Sequence, residues 1–313
     1  MRRLRTPALF AVILALVLFG FAASSGRPAL AVGSQIRTFV ASTGSDANPC
    51  SRVAPCRTFG AALAQTASGG EIVALDSGGY GAVTISQAVT IVAAPGIQAS
   101  ISPSSGAAIT VSAGPSDVVV LRNLYLNAQG ADFGIVYESA AALHVEQLVI
   151  SGFATRGIFM SLITAADLYI ADTIVRSSGA SGIYLLSSSD VANVSIVRAR
   201  LENNGYGVYA SGNVRVSIKD TIASGNSVVG FTAFTGSTSA EINLEGCVAS
   251  GNGTGIYAVS SSSTAIVRVS NCSVTGNATG VSTGTNGSTL SRGNNTVEGN
   301  SANGTFSGSY AAK

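Results

Sequence analysis

Apolar and polar residues recur in a fixed pattern along the second half of the chain. A glycine followed by an apolar residue marks each repeat, and successive glycines are 23 or 25 residues apart. The runs between them, such as VRVSIKDTI and AEINLEGCV, are rich in Val, Ile and Thr and lack helical apolar spacing. The pattern therefore predicts short β-strands in a repeating unit. The seven pairs are Gly134-Ile135, Gly157-Ile158, Gly182-Ile183, Gly207-Val208, Gly230-Phe231, Gly255-Ile256 and Gly280-Val281.

A repeat of this length predicts a solenoid, because each coil can bury its apolar face only by stacking on its neighbours. The leucine-rich repeat has a similar period, but it needs an LxxLxLxxN pattern that no unit here contains. Ile and Val occupy the predicted inward positions, and no helical segment follows the strands. We therefore predict an all-β fold, a right-handed parallel β-helix of about ten coils and about 45 Å in length.

An asparagine stands three or four residues before most of the later glycines. Asparagine tolerates a left-handed backbone and forms local hydrogen bonds, so it suits a tight turn repeated at one corner. Amides on stacked turns can also bond to one another as a ladder. The asparagines are Asn204, Asn226, Asn252, Asn277 and Asn300.

The N-terminus has the features of a secretory signal peptide over residues 1–31. Basic residues come first, an apolar run over residues 8–23 follows, and Ala29-Leu30-Ala31 resembles a cleavage site. A membrane anchor is the alternative, since the apolar run approaches the shortest span. We expect a secreted protein whose mature chain has no membrane span.

The net charge changes once that segment is removed. Loss of Arg2, Arg3, Arg5 and Arg27 leaves 13 basic and 15 acidic residues, so the chain becomes slightly acidic instead of +2. A basic footprint for nucleic acid is therefore absent, and we expect no nucleic-acid partner. The sequence leaves the oligomeric state open.

Four cysteines in an exported chain suggest disulfide bonds. Cys50 and Cys56 lie close together in NPCSRVAPC, and we predict that they are bonded. Cys247 and Cys272 are one coil apart and should stack in adjacent layers. Parallel stacked side chains do not automatically give disulfide geometry, so this pair is predicted either to be bonded or to be buried as free thiols.

The stretch before the repeats predicts a different structure. Residues 32–70 should contain a strand, the cysteine loop and a short helix over RTFGAALAQTA that ends at Gly69-Gly70. That helix can cover the open end of the solenoid. We place the β-helix at residues 71–306 and a tail at 307–313. The apolar face of the helix would comprise Phe59, Ala62, Leu63 and Ala67.

The segments GSDANP, PCRTF and GGEIVALDSGGYG, together with the later repeats, resemble exported bacterial right-handed β-helix proteins of the pectin-lyase-like superfamily. The resemblance covers residues 37 to about 306. It implies the fold, and it implies no single activity, since the superfamily includes polysaccharide lyases, hydrolases, epimerases and surface proteins without a known reaction. The GHG and RIK motifs of its hydrolases are absent, and the one histidine, His144, is expected at a half-exposed strand position.

One column of charged residues is a candidate reaction centre. Equivalent positions on three successive coils hold Asp172, Arg198 and Asp220, with Lys219 adjacent and Glu245 one residue out of register. In a lyase, the three carboxylates would hold Ca²⁺ while Arg198 or Lys219 acts on the substrate. The alternative is a surface ion-pair ladder.

A second candidate concerns binding. Side chains alternate along a strand, so the residue after each inward Ile or Val should point outward. Phe159, Tyr184, Tyr209 and, after a gap, Tyr257 would then form an aromatic stripe that can stack on sugar rings. Alternatively, these residues favour strands and pack on one another.

These features predict a secreted or surface β-helix protein that is non-catalytic and contacts extended polysaccharide or other cell-surface components. The alternatives are a lyase or hydrolase of acidic polysaccharide and a purely structural or adhesive protein. We expect no cofactor, apart from Ca²⁺ if the lyase alternative holds.

Overall fold

The computed structural model describes residues 33–311, so the predicted signal peptide lies outside the described residues. Within this range there are one helix, α1 (Phe59–Gln65), and thirty strands. In chain order the strands are β1 (Gln35–Val40), β2 (Thr66–Ala74), β3 (Gly78–Gly79), β4 (Val83–Ile85), β5 (Val89–Ala93), β6 (Ala99–Ile101), β7 (Ala107–Ser112), β8 (Val118–Arg122), β9 (Leu124–Asn127), β10 (Phe133–Ser139), β11 (Ala142–Glu146), β12 (Val149–Ser151), β13 (Arg156–Leu162), β14 (Asp167–Ala171), β15 (Ile174–Arg176), β16 (Ser181–Val197), β17 (Arg200–Glu202), β18 (Tyr206–Lys219), β19 (Ile222–Ser224), β20 (Val229–Thr235), β21 (Ala240–Glu245), β22 (Val248–Ser250), β23 (Thr254–Ser260), β24 (Ala265–Ser270), β25 (Ser273–Thr275), β26 (Thr279–Thr283), β27 (Gly287–Ser291), β28 (Thr296–Val297), β29 (Ala302–Gly304) and β30 (Gly308–Ser309).

As predicted, the strands stack in parallel into a right-handed solenoid. The solenoid has three faces. The first face contains β4, β7, β10, β13, the start of β16 and of β18, and then β20, β23, β26 and β29. The second contains β1, β2, β5, β8, β11, β14, the end of β16 and of β18, and then β21, β24, β27 and β30. The third face is a ten-stranded sheet from β3 to β28, so nine turns separate its first strand from its last.

The core consists of columns of like side chains. Ile135, Ile158 and Ile183 are in register on consecutive coils, and all three are fully buried. The column continues through Val208 and Phe231 toward the C-terminus. Like residues recur because each coil meets only its two neighbours, so each inward position has the same surroundings.

The bend between the third and first faces is the asparagine corner. Asn204, Asn226, Asn252 and Asn277 are buried there, and each amide donates to the next amide oxygen at 2.8–3.1 Å, ending on Asn300. The predicted ladder is thus present. We predicted that asparagine is used at this turn because it tolerates a left-handed backbone. That reason is wrong, because the left-handed residue is the one directly before each ladder asparagine. These left-handed residues are Asn203, Gly225, Gly251, Gly276 and Gly299.

The repeat glycines allow a close approach to the asparagine corner. A Cβ on Gly182 would lie 2.9 Å from Nδ2 of Asn204, and one on Gly157 would lie 2.2 Å from a methyl carbon of Val175. Any side chain at these positions would therefore collide with the ladder or the core.

The bend between the second and third faces is the charged corner. On seven successive coils its left-handed residues are Asn123, Gln147, Asp172, Arg198, Asp220, Gly246 and Asn271. The residue that follows each of them points inward, and some of these side chains accept a backbone N–H from the preceding coil. Thr173 accepts from Leu148 at 3.3 Å, and Thr221 accepts from Ala199 at 3.3 Å.

Helix α1 packs on β1, β2 and β4 at the start of the solenoid. Thr58 caps it, since its hydroxyl accepts the N–H of Ala61 at 3.2 Å. Phe59, Ala62 and Leu63 are buried, as predicted. The helix is shorter than predicted, because β2 begins at Thr66 and pairs with β1 and β5. Ala67, Gly69 and Gly70 therefore lie in β2, and the two glycines do not end the helix.

The sheet is longer than the interval predicted for the β-helix. Strand β1 pairs with β2, so the sheet begins within the predicted lead-in, and β30 pairs with β27 beyond residue 306. The predicted bond between Cys50 and Cys56 is present in the loop after β1. Over residues 33–311, no helix combines the length and the apolar character that a membrane crossing requires.

Candidate functional site

The predicted aromatic stripe lies on the first face. Phe159, Tyr184 and Tyr209 are in register on three consecutive coils, and each side chain is half-buried and points outward. The rings of Tyr184 and Tyr209 are stacked with centroids 4.9 Å apart, whereas Phe159 meets Tyr184 edge-on at 5.6 Å. The rings thus pack on one another along the solenoid axis.

Three further aromatic residues extend this surface, and the sequence analysis missed them. Phe133 stacks on Phe159 at 5.7 Å, Tyr206 meets Tyr209 edge-on at 5.0 Å, and Phe234 lies 5.6 Å from Tyr209. A signal was available for two of them, because Phe133 and Tyr206 each directly precede a repeat glycine. We call the six residues the aromatic ladder: Phe133, Phe159, Tyr184, Tyr206, Tyr209 and Phe234.

Arg156 lies against the ladder. Its guanidinium carbon is 4.5 Å from the ring centre of Phe159 and 4.3 Å from that of Tyr184. Such placement is an attractive cation–π contact. Its Nε is buried and has no hydrogen-bond partner among the described residues.

The ladder ends at a cavity. Thr232 occupies the position between Tyr209 and Tyr257, one coil from each. Where an aromatic ring would continue the stack, there is a cavity of about 440 Å³. It is lined by Tyr206, Tyr209, Val228, Val229, Thr232, Phe234, Thr254, Tyr257 and Ser282. None of these side chains is charged at neutral pH.

Two hydroxyl groups of the cavity differ in environment. Thr232 is 1% exposed, and its Oγ1 has no hydrogen-bond partner among the described residues. Burial raises the pKa of Tyr209 above its ordinary value, and the neighbouring Tyr184 and Tyr206 add to the shift. The Tyr209 phenol is therefore neutral throughout the physiological range, and the cavity offers hydroxyl groups and aromatic carbon without charge.

The charged column lies at the charged corner, which does not adjoin the first face. Arg198 forms a bidentate pair with Asp172, with both N–O distances 2.7 Å. The hydrogen bond from Arg198 holds the pKa of Asp172 below its usual value. Lys219 and Glu245 are in register on neighbouring strands, and Asp220 lies at the left-handed bend that directly follows Lys219.

This column supplies one ion pair rather than a run of them. Ion pairs within 4.0 Å among the described residues include Arg198 with Asp172, but none involves Lys219, Asp220 or Glu245. Over residues 33–311, no three His, Cys, Asp or Glu side chains are grouped closely enough to hold a metal ion.

His144, Cys247 and Cys272 lie away from the first face. His144 is half-buried on the second face, where its ring stacks on Tyr169 with centroids 4.6 Å apart. Cys247 and Cys272 are buried free thiols at the charged corner. The sulfur of Cys272 accepts the backbone N–H of Cys247 at 3.3 Å, so it takes the place of the threonine hydroxyls on earlier coils.

Comparisons with known proteins agree with this architecture. No curated protein matches the chain. Among solved structures, pectate lyase Pel9A is similar, with a TM-score of 0.51 and 16% identity over 90% of this chain and 80% of that one. A rhamnogalacturonan lyase has a TM-score of 0.43 and 13% identity over 82% of this chain and 74% of that one. At 16% identity, the likeness to pectate lyase Pel9A concerns the fold alone.

A family model described as "Right handed beta helix region" matches residues 134–302. That interval is more than half of the chain, and it contains the seven repeat glycines and the whole asparagine ladder. It also contains the cavity and all of the aromatic ladder except Phe133. The chain belongs to the right-handed β-helix family.

Proposed function

We propose that this protein binds extended polysaccharide through its first face. The observation that carries the proposal is the aromatic ladder, which runs along the solenoid axis and opens into a cavity at Thr232. A straight row of rings on a rigid sheet can follow a linear polymer over several coils. Pectate lyase Pel9A is named for a polysaccharide substrate, and we propose the same broad class of ligand here.

The surroundings of the ladder support binding rather than packing alone. Packing between neighbouring rings covers their faces, but it leaves the last rings, Tyr209 and Phe234, bordering the cavity. Phe234 is 44% exposed and lies beside Tyr209 and Tyr206, so an aromatic patch rather than a single ring faces the cavity. Ligand sites combine such apolar walls with a few polar groups that fix orientation.

Retention on insoluble polysaccharides tests the proposal. Purified protein is mixed with cellulose, xylan, mannan and insoluble pectate, and the bound fraction is compared between wild type and Tyr184→Ala/Tyr209→Ala. We expect wild type to be retained on at least one polymer and the double variant to lose about tenfold in affinity. Retention of both proteins to the same extent would contradict a role for the ladder.

Two controls separate binding from folding. Tyr169→Ala removes an exposed tyrosine from the second face, and retention should not change. Tyr184→Leu/Tyr209→Leu keeps apolar bulk on the first face but removes the rings, so it should keep the wild-type unfolding midpoint within a few degrees and still lose retention. Thermal unfolding by circular dichroism identifies any variant that fails to fold.

A further inference from the structure

We infer that the cavity at Thr232 is a slot for one uncharged sugar ring of the bound polymer, held between Tyr209 and Tyr257. This inference rests on the proposed function, and it adds the position and the chemical class of the recognised unit. The three residues stand in one outward column on successive coils. The slot exists because the middle coil has threonine where its neighbours have tyrosine.

The spacing of the coils fits one inserted ring. Neighbouring strands lie about 4.8 Å apart, so Tyr209 and Tyr257 are attached at points about 9.6 Å apart. Where no residue is skipped, Tyr184 and Tyr209 stack with centroids 4.9 Å apart. The gap therefore corresponds to one missing ring. Its volume of about 440 Å³ lies within the range of small-ligand sites, roughly 300–1,000 Å³.

The lining selects a group that is apolar on its faces and carries hydroxyls at its rim. Tyr206 and Phe234 supply aromatic carbon beside the slot, while Thr254 and Ser282 supply hydroxyls. The hydroxyl of Thr232 is shielded from solvent and has no partner among the described residues. A ligand hydroxyl that displaces the covering side chains would satisfy it. A sugar ring has this amphipathic character, since its C–H faces are apolar and its equatorial hydroxyls are polar.

The same lining disfavours a charged unit. A uronate carboxylate placed in the slot would lose water and find no cation among the lining residues. Arg156 lies over Phe159 and Tyr184, outside the lining of the slot. The lining of the slot therefore favours an uncharged sugar as the bound unit.

Filling the slot tests this directly. Thr232→Phe places a ring between Tyr209 and Tyr257, and Thr110→Phe is the matched control. Thr110 occupies the same outward column at the other end of the ladder, in register with Val136. The probes are cellohexaose and mannohexaose, which are uncharged, and hexagalacturonate, which is acidic, with affinity measured by isothermal titration calorimetry.

We expect wild type and Thr110→Phe to bind at least one uncharged hexasaccharide, and Thr232→Phe to lose binding by about tenfold or more. Thr232→Val removes only the hydroxyl and should weaken binding by about threefold to tenfold. If Thr232→Phe fails to fold, Thr232→Val still provides a test. Full affinity of Thr232→Val for the hexasaccharide would overturn the role of the hydroxyl.

The outcomes that would overturn the slot differ from those that would overturn the ladder. Equal affinity of wild type and a folded Thr232→Phe would remove the slot and leave the ladder proposal intact. Binding of hexagalacturonate alone would overturn the uncharged class. Retention on insoluble polymer without binding of any hexasaccharide would overturn the slot alone, whereas no retention on any polymer would overturn the proposed function itself.

Discussion

The asparagine corner and the charged corner have the same backbone conformation but differ in the side chains that accept its N–H groups. At both bends a left-handed residue is followed by a residue that points inward. From Asn204 to Asn300 the inward residue at the asparagine corner is an amide. Beyond Asn204, each amide oxygen accepts both the backbone N–H and the side-chain N–H of the asparagine on the preceding coil. Asn252, for example, accepts from the backbone and side chain of Asn226 at 3.0 and 2.9 Å. At the charged corner the inward acceptor is a threonine hydroxyl on two coils, the thiol of Cys272 on another and an amide only at Asn295, near the end of the solenoid.

The difference shows what a buried polar ladder requires. An amide both donates and accepts, so a column of amides leaves no member unpaired from Asn204 to Asn300. The threonines of the other corner direct their own proton to a nearby backbone carbonyl, as Thr221 does to Lys219. Their column is therefore a set of separate bonds, and the exposed charges outside it add little. We expect the two corners to respond very differently to substitution.

The largest effect is expected from Asn252→Ala. The change leaves the backbone and amide N–H groups of Asn226 and the carbonyl of Ala223 without partners in the interior. The free energy of unfolding should fall by about 3 kcal/mol or more. Urea unfolding followed by circular dichroism measures it. The matched control is Asn127→Ala at an exposed position on the third face, where a change below about 0.5 kcal/mol is expected.

A smaller effect is expected where the charged corner uses a thiol. Cys272→Val keeps a buried apolar side chain but removes the acceptor for the N–H of Cys247, and it should cost about 1 kcal/mol. Cys272→Thr restores the acceptor that Thr221 provides at this corner, so it should be less destabilising than valine. Equal unfolding midpoints for the two variants would show that the N–H of Cys247 does not depend on this bond.

At the exposed positions of the charged corner, substitutions can separate the effect of backbone conformation on stability from that of the ion pair. Arg198 has a φ of 52°, a left-handed value, whereas glycine occupies the equivalent position at Gly246. Arg198→Gly relieves that conformation while losing the exposed pair with Asp172, so the two effects oppose each other and the urea midpoint should stay close to that of wild type. Arg198→Ala loses the pair and keeps the strain, and it should be about 1 kcal/mol less stable than the glycine variant. If alanine matched glycine in chemical unfolding, the pair rather than the backbone would govern this bend.

The smallest effect concerns pH. The hydrogen bond from Arg198 lowers the pKa of Asp172, so the carboxylate stabilises the fold above its unfolded pKa, near 4. That contribution is lost as the pH falls through the lower folded value. Solvent screens this exposed pair, so Asp172→Asn should reduce stability at pH 7 by less than about 1 kcal/mol. The difference from wild type should narrow as the pH falls below about 4. A difference that stays constant on acidification would have another origin.

Much of the fold could be predicted because each repeat sees the same neighbours. The glycine period placed Ile183 and Ile256 inward, and both are buried. The asparagine column also followed from the period, although its left-handed residue did not. Helix α1 was predicted too long, since local sequence favours helix through Ala67 while pairing of β2 with β1 and β5 begins the strand at Thr66.

The candidate site was predicted only in part. The column of Phe159, Tyr184 and Tyr209 follows from strand alternation, but Phe234 lies in another outward column, and its approach to Tyr209 depends on how the coils stack. The same holds for Arg156, whose side chain reaches across two rings. Strand periodicity specifies which way a residue points, and it does not specify where a long side chain ends.

The sequence by itself determined the coil, its inward and outward columns and the asparagine ladder, because these depend on a period that repeats along the chain. Only the tertiary structure decided that Thr232 lies at a cavity and that its hydroxyl is buried without a partner among the described residues. Three coils meet at that position, from Tyr209 to Tyr257, and residues far apart in the chain become neighbours there only through stacking.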